Sequence, residues 1–475
     1  MNFSIISTEL LVLVLALVLM AVDLILPAKE TRRSIGYIAI FGLLGLFLHT
    51  FTQYHLGHSE YFYQNLFILD NFAIFFKQLF ILSVGFTILF SLDYVETLPK
   101  YRGEYYVILL FALLGMMVMA SANDFLTMFV GLELMTISFY ILVGYKLGNR
   151  LSSEAGVKYL LIGSASTAVM LYGISLVYGV TSQITFAGIC MNYHLFYAAG
   201  LAGITMVMIG FFFKLSVIPF HMWAPDIYQG APTPITALLA MGSKAAGLAV
   251  FMRILYTAFP ITADYWLPIL SIFAAICMIF GNIMAIRQEN LKRMLAYSSI
   301  AQAGYMMVGI VAADVAGMKA VMFYALLYVF ANVGAFAVLA VVDKYKGGTD
   351  TKDIRGLSRT APILAAVMTI SLLSMAGIPP TAGFVGKLYL FTAVVEQGYL
   401  WLAFVGFIMS MISVYYYLMV AKAMYMEYDE DETKIVISGA IRAVVLISSI
   451  ATILIGICPE KVALITNIAS QTFMR

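Results

Sequence analysis

Charge is scarce in this chain. Of 475 residues only 11% are Asp, Glu, Lys or Arg, against roughly 25% in a soluble domain, while 63% are hydrophobic. That balance excludes a soluble globular protein and leaves an integral membrane protein whose solvent is the lipid bilayer. A formal net charge of +2 excludes a polybasic nucleic-acid surface, so no nucleic-acid partner is expected. Cysteine is also short: Cys190, Cys277 and Cys458 are odd in number and far apart, which excludes a disulfide framework and a CxxC metal or haem site. Only five histidines occur, and His49, His55, His58 and His194 fall at or beyond the ends of apolar runs, so haem ligation by paired helix histidines is excluded. No GxxxxGK[ST] loop and no dinucleotide fingerprint is present. The expectation is a chain with no cofactor or metal of its own. Residues 1–26 lack a basic start and a small-residue cleavage site, so they read as a retained first helix.

What the chain has in plenty is apolar runs of about 20 residues, enough to cross a hydrocarbon core of about 30 Å. Fourteen are expected: 6–26, 35–51, 71–91, 105–121, 124–144, 157–179, 198–223, 234–257, 265–286, 293–312, 317–341, 361–396 (broken), 400–421 and 435–457. The basic residues test that count. They gather in the odd-numbered loops, at Lys29, Arg32 and Arg33, then Lys100 and Arg102, Lys146 and Arg150, Arg287, Lys292 and Arg293, and finally Lys344 to Arg359. Even-numbered loops hold almost none, and the seventh-to-eighth loop is neutral. By the positive-inside rule the odd loops face the cytoplasm and both termini face out. One missed helix would scramble the alternation.

Two runs are interrupted by proline, the seventh at Pro219 and the twelfth at Pro379 and Pro380. Proline removes a backbone donor, and freed carbonyls at membrane depth are tolerated only where protein or water satisfies them. The breaks lie five segments apart, and an odd-numbered unit re-enters the membrane in the opposite sense. This is the pattern of an inverted-topology repeat. The expected architecture is therefore all-α and polytopic. Residues 1–104 hold helices 1–3, residues 105–257 a first five-helix repeat (helices 4–8), residues 265–421 an inverted second one (helices 9–13), and residues 435–475 the C-terminal helix. No residue-level repeat is visible.

Charge inside such runs costs at least about 2.5 to 3.5 kcal/mol per residue, and intramembrane ionisable groups are functional by default. Glu133 lies halfway along its run, where its protonation depends on whether an ammonium stands nearby. Its bland alternative is an ion pair tying two helices. Lys214, near the middle of the seventh run if that run extends through Trp223, is placed to accept and release a proton, because a lysine taken out of water gives up its proton more readily. Lys244 sits among Gly242, Ser243, Ala245 and Gly247, small neighbours that leave room for water, and reads as the next station inward. Lys387 follows the second break as the matching lysine of the second half; its alternative is snorkelling from a helix end. Lys158 and His221 are secondary candidates. Lys158 follows Glu154 by four residues as a helix-surface pair, and His221 is either a gate or a partner for a freed carbonyl. Lys77 and Arg253 read as snorkelling side chains, Asp226 as turn chemistry, and Glu427 to Glu432 as a solvated loop. Tyr297, Ser298, Ser299 and Gln302 give the tenth run a polar stripe that either holds water or glues helices.

The stretch FFFKLSVIPFHMWAPDIYQGAPTPITALLAMGSKAAGLAVFMR resembles the signature of the antiporter-like membrane subunits of respiratory complex I, a family related to the Mrp-type antiporters. FLTMFVGLELMTISFYILVGY, SSEAGVKYLLIGSASTA, RMLAYSSIAQAGYMMVGI and MAGIPPTAGFVGKLYLF extend the resemblance over roughly residues 105–400. The fourteen-helix count, the absence of a long C-terminal lateral helix and lysine at 387, where sister branches usually carry glutamate, favour one branch of that family. The resemblance implies a subunit of a proton-translocating NADH:quinone oxidoreductase in a bacterial cytoplasmic or equivalent membrane. It implies partners among the other membrane-arm and peripheral subunits, with flavin, iron-sulfur clusters and quinone held there. It also implies that Glu133 and Lys214 form a coupled pair, that Lys244 leads to the middle of the membrane and that Lys387 handles exit to the outer side. Many relatives carry histidine where this chain has Gln302, which cannot relay by titrating, so water must bridge there or the wire runs elsewhere. The alternative is a subunit of a cation/proton antiporter complex.

Overall fold

The structure, a computed structural model, describes residues 3–27, 31–54, 59–193, 197–427 and 435–473. Lys29, His55, His58, His194 and the acidic run Asp429, Glu430, Asp431 and Glu432 lie outside the described residues.

The helices in chain order are α1 (Ser7–Ile25), α2 (Arg33–Phe51), α3 (Asn71–Val95), α4 (Glu104–Ser121), α5 (Phe125–Val143), α6 (Arg150–Thr181), α7 (Phe186–Asn192), α8 (Tyr197–Leu215), α9 (Trp223–Gly230), α10 (Thr233–Leu238), α11 (Lys244–Arg253), α12 (Ala263–Ile286), α13 (Leu291–Val311), α14 (Val315–Lys346), α15 (Leu357–Thr360), α16 (Pro362–Ala376), α17 (Ala382–Glu396), α18 (Leu400–Met426), α19 (Gly439–Ile457) and α20 (Glu460–Phe473). A π-helical turn, Leu239–Ser243, joins α10 to α11, so the two form one span. Side-chain caps start several spans. Asp70, Asp124, Asn149, Asn290 and Asp314 each accept a backbone N–H of the first turn of α3, α5, α6, α13 and α14, satisfying a donor that lipid could not.

Thirteen stretches among the described residues are long and apolar enough to cross a membrane. They match thirteen of the fourteen expected runs. The twelfth run is two helices of 15 residues each, α16 and α17, meeting at the break. The seventh ends at Leu215 and not at Trp223, which puts Lys214 in the last turn of α8 and corrects its expected central position. Two elements were not anticipated. A hairpin of β1 (Glu60–Phe62) and β2 (Phe67–Leu69), paired antiparallel with Tyr61 opposite Ile68, qualifies the all-α reading. Past α19 the chain turns into α20, which packs on α3 and α14.

Both breaks stop their helix in the same way. At the end of α8, Ser216 is left-handed (φ 60°), its N–H bonds to the Phe213 carbonyl, and the Val217 N–H reaches back to Phe212. At the end of α16, Gly377 is left-handed (φ 84°), its N–H bonds to Ser374, and the Ile378 N–H reaches back to Leu373. These are two Schellman stops, each followed after one further residue by proline, at Pro219 and Pro380. Matching Ser216 to Gly377 brings Lys214 into register with Met375, and Asp226 with Lys387. Lys387 is thus not the positional match of Lys214: one lysine precedes its break and the other follows it.

Two spans, Thr233–Ala258 and Leu291–Val311, are wholly surrounded by protein, with α14 nearly so. By contrast α1, α2, α6 and α19 present apolar side chains such as Leu17, Phe41, Leu161 and Ile450 outward, as helices facing lipid must. A lysine on α11 or a glutamine on α13 therefore has no water to snorkel towards and has to find its partners inside.

Candidate functional site: a buried polar string

Glu133 occupies the middle of α5 and is half-buried, with Oε1 among the buried oxygens that have no hydrogen-bond partner. Lys214 is 3% exposed. The two form no ion pair. The ammonium of Lys214 donates instead to Thr136 Oγ1 at 3.0 Å, one turn along α5 from Glu133, and stands 5.9 Å from the Phe139 ring centre. Its stem lies along α11, where a Cβ at Gly247 would come within 3.4 Å of Lys214 Cγ. The glycine thus leaves a channel for a long side chain between two helices.

Lys244 begins α11 directly after the π turn and is 1% exposed. It donates to both the carbonyl (2.9 Å) and the hydroxyl (2.8 Å) of Ser299 on α13. Gln302 lies one turn further along α13. Its amide donates to the Met375 carbonyl at 3.0 Å and its oxygen accepts from Tyr324 at 2.5 Å. The Met375 carbonyl is also taken by Lys387, whose ammonium donates to Met375 O and Ala376 O, both at 2.9 Å, and to Ser410 Oγ at 2.8 Å. The Tyr305 ring centre is 4.4 Å away. Gln302 and Lys387 therefore share one acceptor, and two bonded groups, Lys244 with Ser299 and Gln302 with Met375 O and Lys387, lie one turn of α13 apart in the interior of the protein. The carbonyls freed where α16 stops are satisfied by a buried ammonium. At the other break the Trp223 indole plays that part, donating to Phe213 O at 2.9 Å.

The secondary candidates lie elsewhere. Lys158 is 42% exposed, paired with Glu154 at 2.7 Å and with Asp226 at 3.1 Å. Asp226 also takes Arg293 at 2.6 Å. Asp226 is therefore not turn chemistry but the carboxylate that ties α6, α9 and α13 together. Burial alone pushes its carboxyl up, yet the Arg293 guanidinium and the Lys158 ammonium outweigh burial and hold it below the usual carboxylate range. His221 shares a 3.3 Å hydrogen bond with the Pro219 carbonyl, at the break itself.

Lys77 and Arg253 correct the expectation of snorkelling. Lys77 is fully buried against Glu9 of α1 at 2.7 Å. Arg253, 2% exposed, grips Asp70 with two bonds of 2.9 and 3.0 Å. Each carboxylate comes from a distant helix start, so neither partner is visible to a reading that treats one span at a time. Glu427, expected in a solvated loop, pairs with Arg355 at 2.8 Å. Sequence reasoning also passed over Thr136, Tyr305, Tyr324 and Ser410; buried hydroxyls on apolar helices were the only signal. Among the described residues no three His, Cys, Asp or Glu side chains gather as metal ligands would.

Residues 122–413 match the family described as NADH:quinone oxidoreductase/Mrp antiporter, TM. The chain is 49% identical over 474 residues to NADH-quinone oxidoreductase subunit N of Heliobacterium modesticaldum, covering 99% of this chain and all of that one. It is 46% identical to the protein of that name from Desulfitobacterium hafniense, over 100% and 99% of the two. Among solved structures, a chain of respiratory complex I from Thermus thermophilus superposes with a TM-score of 0.82 at 29% identity, over 96% of this chain and 98% of that one. A chain of the Mrp complex from Dietzia shares the fold, with a TM-score of 0.88 at 20% identity over 100% and 98%.

Proposed function

The chain belongs to the NADH:quinone oxidoreductase/Mrp antiporter family of membrane proteins, and from that premise we propose that it works as the subunit N type of proton-translocating membrane subunit in an NADH:quinone oxidoreductase. The full-length relatives that support this carry that name at 46–49% identity, whereas the Dietzia Mrp chain, at 20% identity, shares the fold alone. Its partners are the other subunits of that complex, which hold the flavin, iron-sulfur clusters and quinone site.

The observation that carries the reading is the set of three buried ammonium groups, Lys214, Lys244 and Lys387, with Lys244 bonded to Ser299 and Lys387 sharing the Met375 carbonyl with Gln302, one turn along the same helix from Ser299. Redox chemistry elsewhere in the complex shifts charge near Glu133. That carboxylate stabilises an ammonium at Lys214 without touching it, so moving its charge away releases the Lys214 proton towards Lys244 and then Lys387, which discharges outward. At about 2.3 kcal/mol per charge per 100 mV, steps of two or so pKa units are the right size to work against a membrane potential. Gln302 serves as a fixed bridge that orients the shared carbonyl, and transfer past it runs through hydroxyls or water. Lys158 and His221 stay outside the wire, the first anchoring Asp226 and the second capping the break. The chain makes fourteen crossings with both termini outside. The repeats are helices 4–8 (105–257) and 9–13 (265–421), and the twin Schellman stops support that pairing.

The test is Lys214→Ala and Glu133→Ala in the assembled complex. Coupled proton pumping is lost while the chain still copurifies with its partners. Normal pumping by Lys214→Ala would sink the relay.

A further inference from the structure

A cavity of about 540 Å³ opens between the ends of α12, α13 and α18, among the loops that carry the basic residues. Its mouth holds Glu289, Asp350, Lys352, Arg355 and Glu427, and Tyr416 lies on its wall deeper along α18. None of these takes part in the relay described above. From Tyr416 a polar path leads inward. Its hydroxyl donates to Asn282 Oδ1 at 3.0 Å, and Asn282 Nδ2 donates to the Tyr305 hydroxyl at 3.3 Å, whose ring faces the Lys387 ammonium. Beside it lies Tyr417, its ring centre 4.3 Å from that of Tyr416. The Tyr417 hydroxyl shares a 2.5 Å bond with Ser298. Ser298 adjoins Ser299, which holds Lys244. Asn282 and Tyr305 are fully buried, Tyr416 is 3% and Tyr417 1% exposed. A carboxamide orients its neighbours but does not pass a proton on, whereas a hydroxyl both donates and accepts and can do so. The hydroxyls available to conduct are therefore those of Tyr416, Tyr417 and Ser298, the first two on rings in contact but not directly hydrogen-bonded, so that water has to carry that step, with Asn282 positioning Tyr416.

Helix glue alone needs no polar mouth, and a cavity alone needs no buried hydroxyls behind it. Here the two meet at Tyr416, and the hydroxyls end between Lys244 and Lys387. We propose that this cavity is a second proton intake, on the side of the basic loops, feeding the wire between Lys244 and Lys387 through the Tyr416, Tyr417 and Ser298 hydroxyls. Lys387 is then reprotonated without that proton passing Glu133 and Lys214. The inference rests on the relay reading above and adds a branch to it.

The test uses the whole complex in proteoliposomes, reading protons moved per electron pair. Thr351 lines the mouth, and Thr351→Cys allows it to be plugged with a charged, membrane-impermeant thiosulfonate whose attachment is checked by mass. The ratio is expected to fall in the labelled Thr351→Cys complex and to stay unchanged in the parent given the same reagent. Tyr416→Phe should lower it without any label, measured per assembled complex so that lost assembly does not count. If Tyr416→Phe fails to assemble, the plugged cysteine decides alone. An unchanged ratio in the labelled complex, with Lys214→Ala still abolishing pumping, overturns the intake and leaves the relay standing. Normal pumping by Lys214→Ala removes both.

Discussion

At the scale of single residues, the buried charges separate into groups that hold the protein together and groups to which we assign a proposed part in moving protons. Arg253 and Asp70 belong to the first. Arg253→Met strands a buried carboxylate, and breaking such a pair from one side costs about 3–5 kcal/mol. Removing both charges, as Asp70→Asn with Arg253→Met, is expected to recover most of that. Heating the purified complex and following release of the chain distinguishes the two, and equal loss in the single and double variants would contradict the pairing. Glu133 is the opposite case, a half-buried carboxylate with a buried oxygen left unbonded. An unmet acceptor is a poor structural device and a serviceable place for a charge that comes and goes. The sequence made Glu133, Lys214, Lys244 and Lys387 conspicuous because an ionisable side chain in an apolar run has few innocent explanations. It left their partners hidden. Ser299, Met375 and Ser410 come from other helices, and the carbonyl of Met375 has no side-chain signature at all.

At the scale of elements, the runs themselves were legible, since about 20 apolar residues admit little besides a spanning helix. The break at Pro219 was legible too, but the helix ends at Leu215, four residues earlier. The stop is made by a left-handed residue and two backbone bonds, and serine at that place announces nothing. The two stops give predictions of opposite sign. Gly377→Ala puts a Cβ on a left-handed residue and within 2.9 Å of Lys387 Cδ, and should cost about 1–2 kcal/mol. Ser216→Gly relieves the same conformation at the other break, and the Ser216 hydroxyl makes no hydrogen bond that would be lost, so it should stabilise by up to about 1 kcal/mol. The temperature at which each variant complex loses this chain reads both signs; a shift in the same direction for the two would refute the shared motif. The hairpin β1–β2 went unseen because three-residue strands leave too little alternation to read, and α20 because its 14 residues are too short to register as a spanning run.

At the scale of the whole molecule, Asp226 joins α6 to α9 and to α13, and so bridges the two proposed repeats. Its carboxyl sits below the usual value near 3.8. That ion cluster therefore contributes stability that is fully present above the ordinary carboxylate pKa and is lost as pH falls through the lowered one. Asp226→Asn should accordingly be less stable than the parent at neutral pH, with the gap closing in acid. Thermal unfolding of the complex between about pH 3 and 7 checks this; a gap that widens in acid would reverse the sign. Orientation is tested separately. A protease-cleavable tag at either terminus should be cut in right-side-out membranes, and cutting confined to inverted vesicles would turn the molecule over.

Lys387 closes the end of α16 with an ammonium that has three hydrogens and meets three acceptors, Met375 O, Ala376 O and Ser410 Oγ. The neutral amine has two hydrogens and one lone pair. If the proton leaves as the proposed relay requires, the lysine can let go of either carbonyl, since Met375 O keeps its bond from Gln302 and Ala376 O keeps its bond from Ser410. Loading and unloading this site thus leaves no carbonyl bare in either state, and the last turn of the helix serves both without being remade.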